Sequence, residues 1–565
     1  MAPQRVKVAS KSDVAPGSMK QVVFAGQGDD AVHVLLSNTK GTFYATSAKC
    51  THYGAPLEKG ALSADGKVIC PWHGARFDCK TGDIEDAPAL DSLLSFPVEI
   101  EGEDVYVTAD ADKLKGKPGV APACAAGISL ESISKSSEKG TVIVGGGSAA
   151  IHLIESARKE GYPGKLTLLT AEAYAPIDRP KLSKGLVEDV DALLWRSKSH
   201  LQHKLAVELR ENAEVTGVDV QAKVVKLADG STVEYDNLVL ATGGTPVRLP
   251  LPGADGPSVL TLRGIKDVAA INAALGKDGD KDLVVVGSSF IGMELAIAVA
   301  SNKKAKSVSV IGMESVPLER VLGKDIGAGL MKAQQDKNGI QFYMEAKTES
   351  IELEGPNKDV KAVLLKDKDG KEVRLPAGVV VLGVGVRPAT AYLKESKGFP
   401  ELLKDGSVAV DSSFRVKGAQ DVFALGDIAT APTRSGKETV RIEHWNVAGA
   451  HGRLVGQVLA GKRKAGDPLT SEQAPPFFWS AMGAQLRYVG AGERPGFDQV
   501  HVDGKPEELN FAAFYARGDE VVAVATMGRD PLAVVASELF RINKFPSFSE
   551  VKAGRAITQQ ELTRL

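Results

Sequence analysis

The sequence predicts a multidomain protein: an all-β N-terminal domain, a long α/β region built on two parallel sheets, and a C-terminal α+β domain. Three observations predict it. Residues 1–110 alternate short strands such as Val105-Tyr106-Val107 with glycine-rich turns and show little helical periodicity. From 140 onward strands and helices take turns, the pattern of parallel-sheet domains. After about residue 470 that pattern stops: Leu509–Ala516 and Glu520–Thr526 flank Arg517-Gly518-Asp519 like a hairpin, and Pro531 opens a helix. A chain of 565 residues has room for three to four domains of the usual ~150 residues.

Composition excludes several classes. Lys+Arg 69 against Asp+Glu 71 leaves a net charge of −2, with no basic excess for nucleic acid or an anionic membrane. Aromatics at 5% are too sparse for a platform that stacks single-stranded bases. Four cysteines cannot staple a chain of this size, so a secreted disulfide framework is not expected. The opening MAPQRVKVASKSDVAPGS lacks the apolar core of a secretory signal. The longest apolar stretch, Leu283 to Ala300, contains Gly287, Gly292 and Glu294 and reads as strand-turn-helix rather than a membrane span. The final Thr-Arg-Leu departs from the peroxisomal Ser-Lys-Leu signal at two of its three positions. A cytoplasmic protein is expected, with mitochondrial association left open. Glycine, at 59 residues, exceeds the usual ~7% and suggests many tight strand-to-helix turns. Residues 111–139, rich in Lys, Gly, Ser and Ala with Pro118 and Pro122, read as a linker; as a flexible coil they would span roughly 30 Å.

The cysteines of the first domain carry the sharpest signal. Cys50-Thr51-His52 and Cys70-Pro71-Trp72-His73 each pair one thiol with one imidazole, and with only nine histidines in the chain the coincidence is not expected by chance. Such loops can hold one metal or one cluster. A Cys2His2 zinc finger places both cysteines in one pair and both histidines in the other. Here each loop offers one of each, which suits a [2Fe–2S] centre with two Cys on one iron and two His on the other. Neutral imidazole in place of thiolate raises the reduction potential of such a centre. Cys79 and Cys124 have no such neighbours and read as bystander thiols. The segment CTHYGAPLEKGALSADGKVICPWHGARFDCKTG resembles the binding region of a Rieske ferredoxin-type domain. High-potential Rieske proteins carry an extra cysteine in each loop; Ala55 and Trp72 stand in those neighbourhoods here. The resemblance therefore implies a ferredoxin-like centre of lower potential, with Cys50, His52, Cys70 and His73 as ligands.

Two glycine turns follow. Thr141-Val142-Ile143-Val144 runs into Gly145-Gly146-Gly147-Ser148-Ala149-Ala150, where Gly145 permits the turn and Gly147 lets backbone approach a pyrophosphate at a helix N-terminus. Leu283-Val284-Val285-Val286 leads into Gly287-Ser288-Ser289-Phe290-Ile291-Gly292, a second turn with Ser replacing the middle Gly. The two lie too far apart for one mononucleotide half-pair, so two dinucleotide domains are expected. Leu238-Val239-Leu240-Ala241-Thr242-Gly243-Gly244 and Val422-Phe423-Ala424-Leu425-Gly426-Asp427 resemble the Ala-Thr-Gly and Gly-Asp motifs of flavoproteins with two dinucleotide-binding domains. Tyr174 to Lys184 resembles the flavin-proximal segment of apoptosis-inducing factor and ferredoxin reductases. Pro475-Pro476-Phe477-Phe478-Trp479-Ser480 and Arg441-Ile442-Glu443-His444-Trp445 fit the same group.

That resemblance implies the organisation: a Rieske domain over 1–110, the linker 111–139, an FAD-binding domain in two parts (140–265 and 386–465), an NAD-binding domain over 266–385, and a C-terminal α+β domain over 466–565. The cofactor-binding residues it implies are Gly145, Gly147, Ser148, Ala149, Glu172, Arg179, Lys184, Val215, Ala241, Thr242, Gly243, Gly287, Ser289, Phe290, Ile291, Gly292, Glu294, Glu314, Gly385, Asp427 and Trp445, with Lys184 and Trp479 as catalytic candidates. Two positions depart from the family. Thr170-Ala171 stands where the ribose-binding acid belongs, with Glu172 one place late, and Gly312 stands at the equivalent place in the NAD domain, with Glu314 two later. Glu314, about 20 residues past the turn, favours NADH over NADPH through the ribose 2′-hydroxyl, and no Arg lies close in sequence to receive a 2′-phosphate.

Absences shape the chemistry further. No cysteine follows Cys124, so electrons cannot leave through a dithiol beside the flavin. The histidines His200 and His203 lack the companion carboxylate pattern of a mononuclear iron oxygenase. The expected activity is an NADH oxidoreductase that passes electrons through FAD to its own cluster and on to a protein or metal-centre acceptor, in a chain compatible with a homodimer. The alternative is a redox-switched interaction protein in cell-death signalling, as the resemblance to apoptosis-inducing factor permits; a zinc-loaded structural domain on a flavoprotein is a third reading.

Overall fold

A computed structural model describes all residues except 1, 2, 136, 138, 435, 465, 466, 468–474, 491–495, 564, 565 and the side chain of residue 563. The expected boundary at 465/466 and the end of the Thr-Arg-Leu tail lie outside the described residues.

The N-terminal region forms three small antiparallel sheets. Strand Val32–Thr39 is buried along most of its length because it serves two cores. Successive side chains of a strand point to opposite faces, so Val34 and Leu36 pack with Val105 and Val107, while Leu35 packs with Leu57, Leu62, Val68 and Phe77. The four-stranded sheet Ala61–Leu62, Lys67–Ile69, Arg76–Asp78, Ile84–Asp86 carries the second Cys-His loop between its second and third strands.

The linker is joined to the domains on either side of it. Gly119–Val120 pairs antiparallel with Ser92–Leu93, Ala125 N–H donates to Arg158 O at 3.1 Å, and helix Leu130–Lys135 buries Ile133. Backbone pairing and one apolar anchor thus tie the segment down.

The first parallel sheet has the order Val207–Arg210, Leu166–Leu169, Thr141–Val144, Asn237–Leu240, Val422–Ala424. Its central strands are buried at every position, as a parallel sheet covered on both faces requires. The second sheet runs Val259–Leu260, Val379–Leu382, Asp282–Val286, Ser307–Ile311, Gln341–Tyr343. Its edge strand lies before residue 266, so this unit begins earlier than the sequence boundary; two residues of strand carry too little periodicity to be read. Both glycine turns sit at strand ends. Gly145 has φ +108 and Gly287 φ +113, and a Cβ there would stand 2.3 Å from the carbonyl oxygens of Ala241 and Gly383.

The C-terminal domain is a five-stranded antiparallel sheet, Phe477–Ala481, Gln485–Gly490, Glu520–Met527, Asn510–Arg517, Gln499–Lys505, covered by helix Leu532–Arg541. That helix shares its core with Ala61 and Ile69, so the N-terminal domain is packed onto the C-terminal one. No helix among the described residues is long and apolar enough to cross a membrane.

Candidate functional site

The two Cys-His loops fold alike. Cys50 N–H donates to Ala55 O and Cys70 N–H to Ala75 O, both at 2.8 Å, while Gly54 and Gly74 return hydrogen bonds to the two cysteine carbonyls. Gly54 (φ +76) and Gly74 (φ +74) supply the left-handed conformation that closes each loop on its cysteine carbonyl. The thiols of Cys50 and Cys70 are both free and buried. Burial, then Cys70, pushes the Cys50 thiol well up; burial would do the same to Cys70, but Cys50 and the His73 and Trp72 amides hold it down. His52 Nδ1 and His73 Nδ1 face each other at 2.9 Å, and His52 Nε2 is buried without a partner among the described residues. Burial keeps both rings neutral, pushing His52 well below its ordinary value and His73 to about 3. Neutral imidazoles and removable thiol protons are what metal ligation needs. Among the described residues no three such side chains converge to hold a single ion. A thiol pair beside an imidazole pair fits a two-iron cluster better than one zinc.

Beside these loops lies a cleft of ≈ 980 Å³, its open mouth included, and many of the sequence-selected residues line it: Gly147, Ser148, Ala149, Arg179, Lys184, Ala241, Gly243, Phe290, Ile291, Glu294, Asp427, Trp445 and Trp479. At Gly147 a Cβ would meet nothing within 4 Å, and helix Ser148–Glu160 starts there with no side-chain cap. Its first amides are thus available to an anion. Lys184 Nζ pairs with Glu294 Oε1 at 3.0 Å, and the buried Glu294 also accepts from the hydroxyls of Ser183 and Ser480. Asp427 Oδ2 pairs with Arg263 at 3.2 Å.

Other selected residues stand behind the wall or away from it. Glu172 is engaged by Arg179 through both carboxylate oxygens and by the Tyr174 hydroxyl. Val215 opens a separate three-stranded sheet, and Thr242 Oγ1 donates to Ala389 O. Gly385 accepts from Val247 N–H. Gly292 packs on Gly287 O at the second turn, and Ser289 Oγ donates to Gly383 O at 3.3 Å beside it. Glu314 faces Ser288 Oγ at 3.4 Å. Arg320, largely exposed, pairs with Glu314 at 2.9 Å.

The cleft and the Cys-His loops share a wall. The Trp479 ring, buried and on the cleft, lies 4.5 Å from His73 and 5.9 Å from His52, centroid to centroid. Tyr53 donates from its hydroxyl to Asp178 Oδ2 at 2.5 Å, tying the first loop to the segment that precedes Arg179. Trp195 stacks on His52. Sequence reasoning missed Tyr53, Asp178 and Trp195 as junction residues; the scarcity of tryptophan, four in the chain, was the available signal.

Residues 139–452 match the family described as pyridine nucleotide-disulphide oxidoreductase, and residues 4–97 match the Rieske [2Fe-2S] domain. The chain is 39% identical to apoptosis-inducing factor 3 of Homo sapiens over 559 residues, covering 98% of this chain and 85% of that protein. It is 30% identical over 355 residues to the ferredoxin–NAD(+) reductase subunit of the benzene 1,2-dioxygenase system of Pseudomonas putida, covering 63% of this chain and 81% of that one. Among solved structures, the ferredoxin reductase for the CYP199A2 system of Rhodopseudomonas palustris superposes with a TM-score of 0.67 at 28% identity, covering 75% of this chain and 100% of that one.

Proposed function

This chain belongs to the pyridine nucleotide-disulphide oxidoreductase family and carries a Rieske domain ahead of it, and on that premise we propose that it takes electrons from NADH and passes them through FAD to a [2Fe–2S] cluster of its own. From there they go to an acceptor protein or metal centre outside the chain. The observation that carries this reading is Trp479, whose ring forms the cleft wall and packs on His73.

Bound FAD would supply the exchange between the electron pair of one hydride and single electrons, and a bound cluster would carry one electron at a time. The chain's own residues bind and orient. The uncapped amides after Gly147 suit the pyrophosphate, Asp427 a ribityl hydroxyl, and Cys50, Cys70, His52 and His73 the two irons. Helix Phe290–Ser301 begins equally uncapped at Ser289, suiting the phosphates of the pyridine nucleotide. Glu314 suits a ribose 2′-hydroxyl and favours NADH. The paired Lys184 and Glu294 close one side of the cleft with a charge held off water. Relatives are named as reductases of ferredoxin and of rubredoxin; a fused Rieske domain supplies the same kind of iron–sulfur carrier within one chain.

Anaerobic titration of the purified holoprotein with NADH, followed by visible and EPR spectroscopy, tests the reading. Flavin bleaching should be accompanied by a reduced Rieske signal that His52→Ala abolishes. Flavin bleaching with a cluster that stays oxidised, or with zinc in its place, overturns it and leaves the redox-switched interaction reading.

A further inference from the structure

All four tryptophans of the chain stand around the Cys-His loops and the cleft. Trp72 lies beside His73, and Trp479 joins His73 to the cleft. The other two lead to the other histidine. Trp445, on the cleft wall, stacks on Trp195 with centroids 6.2 Å apart and planes 18° apart. Trp195 stacks on His52 at 5.5 Å and 15°, and Tyr53 closes the far side of His52 at 3.7 Å and 18°. Four nearly parallel rings thus form a column from the cleft to the cluster site.

The column is pinned along its length. Ser148 Oγ holds the Trp445 carbonyl at 2.8 Å, Trp195 N–H donates to Pro176 O at 3.1 Å, and the Tyr53 hydroxyl is fixed on buried Asp178. Neither indole N–H, of Trp195 or of Trp445, has a hydrogen-bond partner among the described residues, though both are buried.

We propose that Trp445, Trp195 and His52 form a second route for single electrons from flavin to cluster, parallel to the route from Trp479 to His73. The inference rests on the NADH–FAD–cluster reading above. In each transfer the reduced flavin loses one electron and one of the cluster's two ferric irons becomes ferrous. The rings bridge the gap and are left unchanged, and the flavin's protons go to solvent. Two such transfers consume the pair delivered by one NADH, the acceptor reoxidising the cluster between them.

Parallel routes add, and that property makes the test. In full-length holoprotein, cluster reduction after rapid mixing with NADH is followed by absorbance and freeze-quench EPR. Trp195→Leu should slow it severalfold at most in the wild-type background, but should nearly abolish it when combined with Trp479→Leu. Trp195→Phe, which keeps a ring, should restore the rate in that background. Flavin reduction by NADH should be the same in the Trp195 variants as in their parent backgrounds. Equal rates for Trp479→Leu and the double variant overturn the route. A readout independent of turnover tests the column itself: Trp195→Phe and Trp445→Phe should each remove the same far-ultraviolet exciton couplet from the circular dichroism. A couplet unaffected by either variant overturns the stacking. Failure of NADH to reduce the wild-type cluster would instead sink the underlying reading, whatever the couplet shows.

Discussion

Lys184 and Glu294 show what single residues contribute at the cleft. Glu294 is almost wholly buried, and Lys184 is the one cation paired with it among the described residues. Removing the ammonium leaves a buried carboxylate held only by two serine hydroxyls, an arrangement that breaking a buried pair makes unfavourable by ~3 kcal/mol or more. Lys184 also places a positive charge on the cleft wall, where it would stabilise added negative charge on a bound flavin. Lys184→Ala is therefore expected to slow flavin reduction by NADH and to lower the flavin midpoint potential, read by stopped flow and by spectroelectrochemical titration. Unchanged values of both would remove this role. Lys184 was legible in the sequence because it sits in the local segment Tyr174 to Lys184. Its partner, 110 positions away, was legible only as part of the second glycine turn, and the pairing was not legible at all. Motifs report local geometry, whereas an ion pair depends on how two domains close on each other.

At the scale of elements, helix Ser148–Glu160 and helix Trp445–Leu459 decide the shape of the cleft, since both begin on its wall. They approach closely because of glycines: a Cβ on Gly452 would lie 2.2 Å from Ala149 O, and one on Gly456 2.7 Å from the Ser156 Cβ. Backbone cannot yield cheaply there, so Gly452→Ala should separate the helices, lower the melting temperature and release FAD, measured as flavin per protein after gel filtration. Full flavin occupancy with an unchanged melting temperature would refute it. The same helix pair holds two neutral histidines. Burial lowers His152 to about 4 and His451 to about 3. A histidine whose folded value lies below its unfolded ~6.5 stabilises fully above that pH and loses its contribution as pH falls. For His152 alone the loss between pH 6.5 and 4 is on the order of 3 kcal/mol. Thermal melts from pH 7 to 5 should fall steeply in the wild type and less steeply in His152→Gln; identical slopes would remove His152 from the account. The strands leading into these helices were readable from their unbroken apolar runs. The small edge strand Val259–Leu260 and the docked linker were not, because two-residue pairings leave no periodicity.

Over the whole molecule, the decisive feature is that the Rieske domain is held at fixed places on both neighbours. Arg453 donates to the carbonyls of Ile84 and Glu85, Arg196 bridges Asp91 and Glu155, and Arg487 donates to Pro71 O, within the second Cys-His loop. None of these contacts was legible in the sequence, since the partners stand from 41 to 416 positions apart and their register follows from three surfaces fitting together. The most buried contact joins Arg76 of the Rieske domain to Glu538 of the C-terminal domain at 2.8 Å, the two side chains 5% and 2% exposed. Glu538 also keeps Arg541 at 2.5 Å. Arg76→Met would therefore leave the carboxylate with one cation rather than none, and the docking should weaken by about 3 kcal/mol, the lower end for a broken buried pair. Because the flavin half does not use Arg76, NADH-driven reduction of ferricyanide should proceed as in the wild type, while cluster reduction by NADH slows. Burial also screens the docking from salt, so the wild-type rate of cluster reduction should be independent of protein concentration and nearly flat with ionic strength. A wild-type rate that rises with protein concentration would mean that the cluster is reduced between molecules. An Arg76→Met rate equal to the wild type would mean that this contact does not set the distance between the two redox sites.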